Sequence, residues 1–212
     1  MKKISKLFLV ILFITVITSC KKDCSLRSDC GQVFYYYQNE KQFFNVSNAK
    51  IIIGFSDSLT FAEMKLITDQ YSFIEPLKED QACLSKKFAS ADLNKKMSCD
   101  KIHKCMCDLK DNPDIMYANL CFFREGSNDL SGYSDEFIVC LKDSLQLPEL
   151  QAMAQLTSTS ILRQNEFNSN IYILSATKYS MGNALEMANY FYESNKFVWS
   201  EPNLISYTAF NE

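Results

Sequence analysis

Histidine occurs once in this chain of 212 residues, at His103, while glycine occurs five times and proline four times. A Ser-His-Asp hydrolase carries its histidine in a motif of its own, beside glycine-rich turns that let backbone approach the substrate. His103 instead sits among lysines and cysteines, and no Gly-x-Ser-x-Gly turn is present. Phosphate loops and metalloprotease helices are missing too. Cys-His chemistry stays formally open, but no cysteine lies in a nucleophile motif, and a surface position is the simpler reading of His103. The acidic pairs Glu79-Asp80 and Asp135-Glu136 read as solvated turn residues rather than acid/base dyads. These absences predict a chain that is not an enzyme and needs no cofactor. Basic excess is absent as well, since the formal net charge is −3. That excludes the patch that nucleic acid requires and the polybasic stripe that anionic lipid attracts.

No long apolar span is present either. The run at residues 7–17 has 11 residues, short of the roughly 20 that cross a bilayer. Lys2, Lys3 and Lys6 precede it, and Ile17-Thr18-Ser19-Cys20 closes it. That closing sequence resembles a bacterial lipobox, which predicts a leader over 1–19 and lipidation at Cys20. An ordinary cleaved signal with an incidental Cys20 is the alternative. The expected product is exported and anchored to the cell envelope by lipid, on the periplasmic or the surface side. Removing residues 1–19, with three lysines and no acid, moves the formal charge from −3 to −6.

Cys24, Cys30, Cys83, Cys99, Cys105, Cys107, Cys121 and Cys140 remain beyond Cys20. In an oxidising compartment an even set favours disulfides, although spacing alone does not assign them. A zinc site at Cys99, His103, Cys105 and Cys107 is the weaker alternative, because Cys105-Met106-Cys107 is tighter than the usual ligand pair. No metal site is expected.

Residues 20–32 are polar and aperiodic, a spacer between lipid and fold. Residues 33–47 hold two aromatic runs around Gln38-Asn39-Glu40-Lys41, the pattern of a β-hairpin. Near the other end, residues 183–203 read as a helix feeding a strand. Asn183 and Glu186 sit in capping-box positions, and Leu185, Ala188 and Tyr192 share a face with Ala184 and Phe191 beside it. Asn195 supplies a left-handed stop. Phe197-Val198-Trp199 follows as a β-run that Pro202 closes.

Between these ends the chain repeats itself. At an offset of 86, Ile53 falls on Val139, Phe55 on Leu141, Asp57-Ser58-Leu59 on Asp143-Ser144-Leu145, Glu63 on Glu149 and Met64 on Leu150. At an offset of 82, Ile115-Met116-Tyr117 falls on Phe197-Val198-Trp199. Strands are expected at 72–77 and 82–88 in the first copy and at 160–166 and 170–176 in the second, with a first-copy helix from about Ala91 to Lys110. Each copy then reads βαββαβ. The expected class is α+β: two tandem ferredoxin-like repeats, at 48–126 and 127–212, each a four-stranded antiparallel sheet with helices on one face.

The tyrosine-rich hairpin and the helix-to-strand stretch at 183–203 resemble the prodomain that precedes the catalytic domain in secreted bacterial subtilisin-like serine proteases. The resemblance runs from Val33 to Tyr207. In that family the prodomain assists folding of the protease, its sheet packs on surface helices of the catalytic domain, and its C-terminal tail lies in the active-site cleft. The resemblance implies an inhibitor or folding helper acting on a separate serine protease, because this chain reaches Glu212 without a catalytic segment. Tyr207, Thr208, Ala209 and Phe210 would form the tail. Along the first strand of the second repeat, Phe137, Val139 and Leu141 alternate with Ile138 and Cys140. One set must meet helices; the other is a partner surface, for which Ile138 and Cys140 are the candidates, or an inter-repeat contact. The alternative function is a stand-alone envelope lipoprotein with no protease partner.

Overall fold

Two consecutive left-handed residues start the fold. Gln38 (φ 49°) and Asn39 (φ 66°) form the turn between β1 (Phe34–Tyr37) and β2 (Glu40–Phe43), the conformation of the tightest hairpins. The polar break is therefore shorter than expected, because Glu40 and Lys41 already pair with Tyr37 and Tyr36. A computed structural model describes residues 33–123 and 130–206. The expected leader, Cys20, the spacer, the 126/127 boundary and the tail at Tyr207, Thr208, Ala209 and Phe210 lie outside the described residues.

The chain then runs through β3 (Asn45–Phe55), α1 (Phe61–Thr68), β4 (Ala82–Cys83), β5 (Phe88–Asp92), α2 (Cys99–Lys110) and β6 (Ile115–Phe123). It continues with β7 (Leu130–Cys140), α3 (Leu147–Thr157), β8 (Ser160–Gln164), β9 (Ile171–Ser175), α4 (Ala184–Glu193) and β10 (Trp199–Ser206). Strands of the first half lie in the order β4-β5-β3-β6, those of the second in the order β8-β9-β7-β10, and all neighbours are antiparallel. The fold is thus mixed α and antiparallel β.

The halves do not form two separate sheets. Phe122 pairs with Ser131 and Phe123 with Leu130, which joins everything except the hairpin into one eight-stranded sheet. The length of β7 explains this. Its residues Glu136 to Cys140 pair with β9, while its start extends the edge of β6. Strands β6 and β9 thus meet one edge of β7 end to end, and β10 takes the other.

The repeated Asp-Ser-Leu segments follow β3 and β7 and lead into α1 and α3. Thr60 and Glu63 close a capping box on α1, whereas Asp143 accepts a bond from the Leu145 amide at 2.8 Å. Met64 and Leu150, equivalent by offset, are both fully buried. The first copy departs most from expectation between these points. Residues 72–77 contribute only the bridge Ile74↔Leu93 among the described residues, and β4 is two residues long. Ala91 belongs to β5, and α2 starts at Cys99. Alanine favours helix intrinsically, but here Ala91 is buried on β5, between β4 and β3, in one apolar cluster with the helix residues Ile102 and Leu109.

Helix α4 carries its capping box, with Asn183 and Glu186 bonded reciprocally at 3.0 Å, and Asn195 ends it at φ 58°. Its buried face is Ala184, Leu185, Met187, Ala188 and Phe191; Tyr192 points elsewhere and stacks on Tyr36 at 4.0 Å. Phe197 precedes the strand and stacks on Phe191 at 5.8 Å. Pro202 does not close β10. It pairs opposite Phe137, with a register shift before Leu204. Among the described strands β10 pairs only with β7, so the missing proline N–H falls on an edge strand, where it is tolerated.

One apolar cluster links the helices of both halves to the sheet, through Ile51, Ile53, Ile102, Leu109, Phe137, Val139, Leu150, Leu185 and Phe191. A smaller one lies on the opposite face of the first half: Ile52, Phe88, Tyr117 and Cys121, with Leu130 and Ile205 packed against it. The start of β7 and the end of β10 therefore cover that face. Gly132 allows the approach, since a Cβ there would lie 2.6 Å from Ile52 Cγ1. Asn119 fixes it, its Nδ2 donating to the carbonyls of Tyr133 and Ser134 at 3.1 and 3.0 Å.

Cys99 and Cys107 are disulfide-bonded, and Cys83, Cys105, Cys121 and Cys140 are free. Sulfurs held in disulfides are not thiolate ligands, so the zinc reading of the α2 cysteines falls. Among the described residues no group of three or more His, Cys, Asp or Glu is placed to hold a metal ion.

Candidate interaction surface

The alternation on β7 resolves by contact. Phe137, Val139 and Leu141 enter the helix-side cluster, which turns Ile138 and Cys140 to the opposite face. Residues directly opposite in an antiparallel ladder share a face, so the register defines the neighbours. Ile138 lies between Ile173 on β9 and Glu201 on β10, and Cys140 lies between Ile171 and Trp199. None of these residues belongs to either apolar cluster. Ile138, Ile171, Trp199 and Glu201 keep partial exposure, while Cys140 and Ile173 are nearly covered.

Charged and polar groups rim this apolar strip. Arg163 on β8 donates through both terminal nitrogens to Glu136 at 2.9 and 3.2 Å, and Asn203 donates to the same carboxylate at 2.9 Å. The hydrogen bonds that Glu136 accepts hold the Arg163 guanidinium even more firmly protonated than usual. The pair is partly exposed and fixes the strip's boundary more than it adds stability. The arrangement is an apolar centre within a polar rim.

Free thiols offer no activated nucleophile in this region. Burial raises the pKa of Cys140 and of Cys105, and pushes Cys121 up to about 12. A nucleophilic cysteine needs the opposite shift. Burial, reinforced by Lys110, lowers the pKa of the half-buried His103 on α2.

Of the residues expected to meet a partner, Ile138 and Cys140 lie on this face. Sequence reasoning missed the flanking strands' share: Ile171 and Ile173, and Trp199 with Glu201. The signal was available as parity, because Ile171-Tyr172-Ile173-Leu174 alternates between faces once Leu174 is assigned to the core. No helix among the described residues is long and apolar enough to cross a membrane. Compared with protein-family models, curated proteins and solved structures, the chain matches none of them.

Asp135, beside this face on β7, has a pKa raised by burial, against the lowering bond from Ser175. A carboxyl whose folded pKa exceeds its unfolded value binds its proton more tightly in the fold. Its contribution is fully present below the unfolded value, near 3.8, and is lost as pH rises through the folded one. Asp135→Asn is therefore expected to remove a loss of stability with rising pH above about pH 4, so that Tm climbs more steeply from acid towards neutral pH than in the native chain. An unchanged slope would show that Asp135 is not the group responsible.

Proposed function

We propose that the chain is an exported, lipid-anchored, non-enzymatic binding protein built from two tandem ferredoxin-like units, and that it restrains or helps fold a subtilisin-like serine protease. The observation that carries the reading is the strand order. Each half runs βαββαβ, and in each the first strand lies between the third and the fourth. In the first unit the helix-free face is covered by β7 and β10; in the second it presents Ile138, Ile171 and Trp199 with partial exposure. That second face is the one the prodomain resemblance assigns to a protease's surface helices. Strand β10 leads to Tyr207, Thr208, Ala209 and Phe210, the segment proposed to enter the cleft. Disulfides at Cys99 and Cys107 suit an oxidising compartment, which supports export.

Titrating the soluble chain from Cys24 onward against exported subtilisin-like proteases tests this. Inhibition at about micromolar concentration or below, weakened by trimming residues 207–212, is expected; that concentration corresponds to about 8 kcal/mol of binding. No inhibition, and no change on trimming, would overturn the protease assignment and leave a stand-alone envelope binding protein.

A further inference from the structure

A cleft of about 260 Å³ opens where the hairpin turn, the end of α4 and the start of β10 meet. It is smaller than the roughly 300 Å³ at which pockets for whole drug-sized molecules begin, and suits a head group or the end of a side chain. Tyr36, Tyr192 and Trp199 supply its aromatic wall, Gln38 and Asn39 its lip, and Glu201 a carboxylate. We propose that this cleft binds an organic cation, an ammonium or guanidinium group seated on the rings of Trp199 and Tyr192 and paired with Glu201.

Charge comes first in the argument. Glu201 is partly buried, and no cation among the described residues is paired with it. Burial alone raises its pKa, so its charge lacks the compensation that a counter-ion gives. An apolar ligand would leave that carboxylate desolvated and unpaired, which is costly; a cation removes the cost. The rings add a second attraction, since an aromatic face, tryptophan's best of all, draws a cation within about 6 Å. Local bonds hold the two tyrosines in place. Tyr36 Oη donates to Glu193 at 2.9 Å, Tyr192 Oη donates to Asn39 at 3.0 Å, and the two rings stack. The same hairpin already seats one ammonium on its rings, with Lys41 Nζ 4.1 Å from the Phe34 centroid and 5.6 Å from that of Tyr36. The proposal does not require a protease partner, and Trp199 and Glu201 are shared with the docking face.

Trp199 is the chain's single tryptophan, so its fluorescence reads this cleft alone. The full-length chain in mild detergent is titrated with choline and tetramethylammonium, with N-acetyl-lysine amide and N-acetyl-arginine amide, with 3,3-dimethylbutan-1-ol, the neutral isostere of choline, and with glucose. A saturable change is expected with the cations and none with the alcohol at equal concentration. Preference for the quaternary amines identifies a small-molecule head group; preference for the amino-acid amides identifies a partner's side chain. Glu201→Gln, with an unchanged circular dichroism spectrum, is expected to weaken cation binding about tenfold, as loss of a charge-assisted contact does. Should that variant fail to fold, saturation transfer to the choline methyl protons on the native chain, competed by tetramethylammonium and not by the alcohol, reads the same site. Equal responses to choline and its neutral isostere, a response to glucose alone, or full affinity in Glu201→Gln would overturn the proposal.

Discussion

Phe191→Ala is expected to lower stability by about 3–5 kcal/mol, the usual cost of emptying a buried phenylalanine site. Phe191 is fully buried on α4, edge-on to Phe137 of β7 at 5.2 Å and stacked on Phe197 at 5.8 Å. One ring therefore ties the last helix both to the central strand and to the entry of β10. Collapse around the gap is restricted, because Leu185 and Ala188 in the same cluster belong to a helix with capped ends. At about 2–4 °C per kcal/mol for a chain of this size, the thermal midpoint is expected to fall by roughly 10 °C. Phe167, 96% exposed in the turn before β9, is the control, and Phe167→Ala is expected to leave the midpoint unchanged. Equal effects from the two substitutions would contradict the packing described.

Reduction is expected to destabilise the chain comparably, by about 2–4 kcal/mol for each disulfide opened. Cys99 and Cys107 are eight residues apart on α2, which separates them by about 12 Å along the helix axis. A disulfide holds its Cα atoms within about 7 Å, so these two do not bond to each other. With Cys83, Cys105, Cys121 and Cys140 free and Cys20 proposed to carry the lipid, the partners available in the sequence are Cys24 and Cys30. Peptide mapping without reduction is expected to join Cys99 and Cys107 each to a cysteine of that set, and treatment with a phosphine reductant to lower the melting temperature. Complete alkylation of both α2 cysteines in the unreduced protein would contradict this.

Local chemistry was legible where one residue type decides the backbone. Asn183 with Glu186, Asn195 and Asn39 each behave as their caps and turns require. The 86-residue offset placed Ile53 with Val139 and Met64 with Leu150 at equivalent buried positions. What escaped is what tertiary packing decides. Ala91, expected to open a helix, lies instead in β5 and in the buried cluster. Tyr192 fits an amphipathic face until the hairpin offers Tyr36 as a stacking partner 156 positions away in sequence. Pro202 reads as a terminator until β10 proves to be an edge strand. The joining of the two halves depends on the length of β7, which alternation alone does not reveal. Of the candidate surface, the β7 residues were readable by parity, whereas the contribution of β9 and β10 required the register.

The proposed function rests on the helix-free face of the second half, and Ile138 stands at its centre, between Ile173 and Glu201. The most direct test compares inhibition of a subtilisin-like protease by the native chain and by Ile138→Glu, with equal melting temperatures confirming that both are folded. Burying a carboxylate at the centre of the contact is expected to weaken inhibition at least about 30-fold, as disruption of a central interface residue does. Undiminished inhibition by the folded variant would show that the partner binds elsewhere.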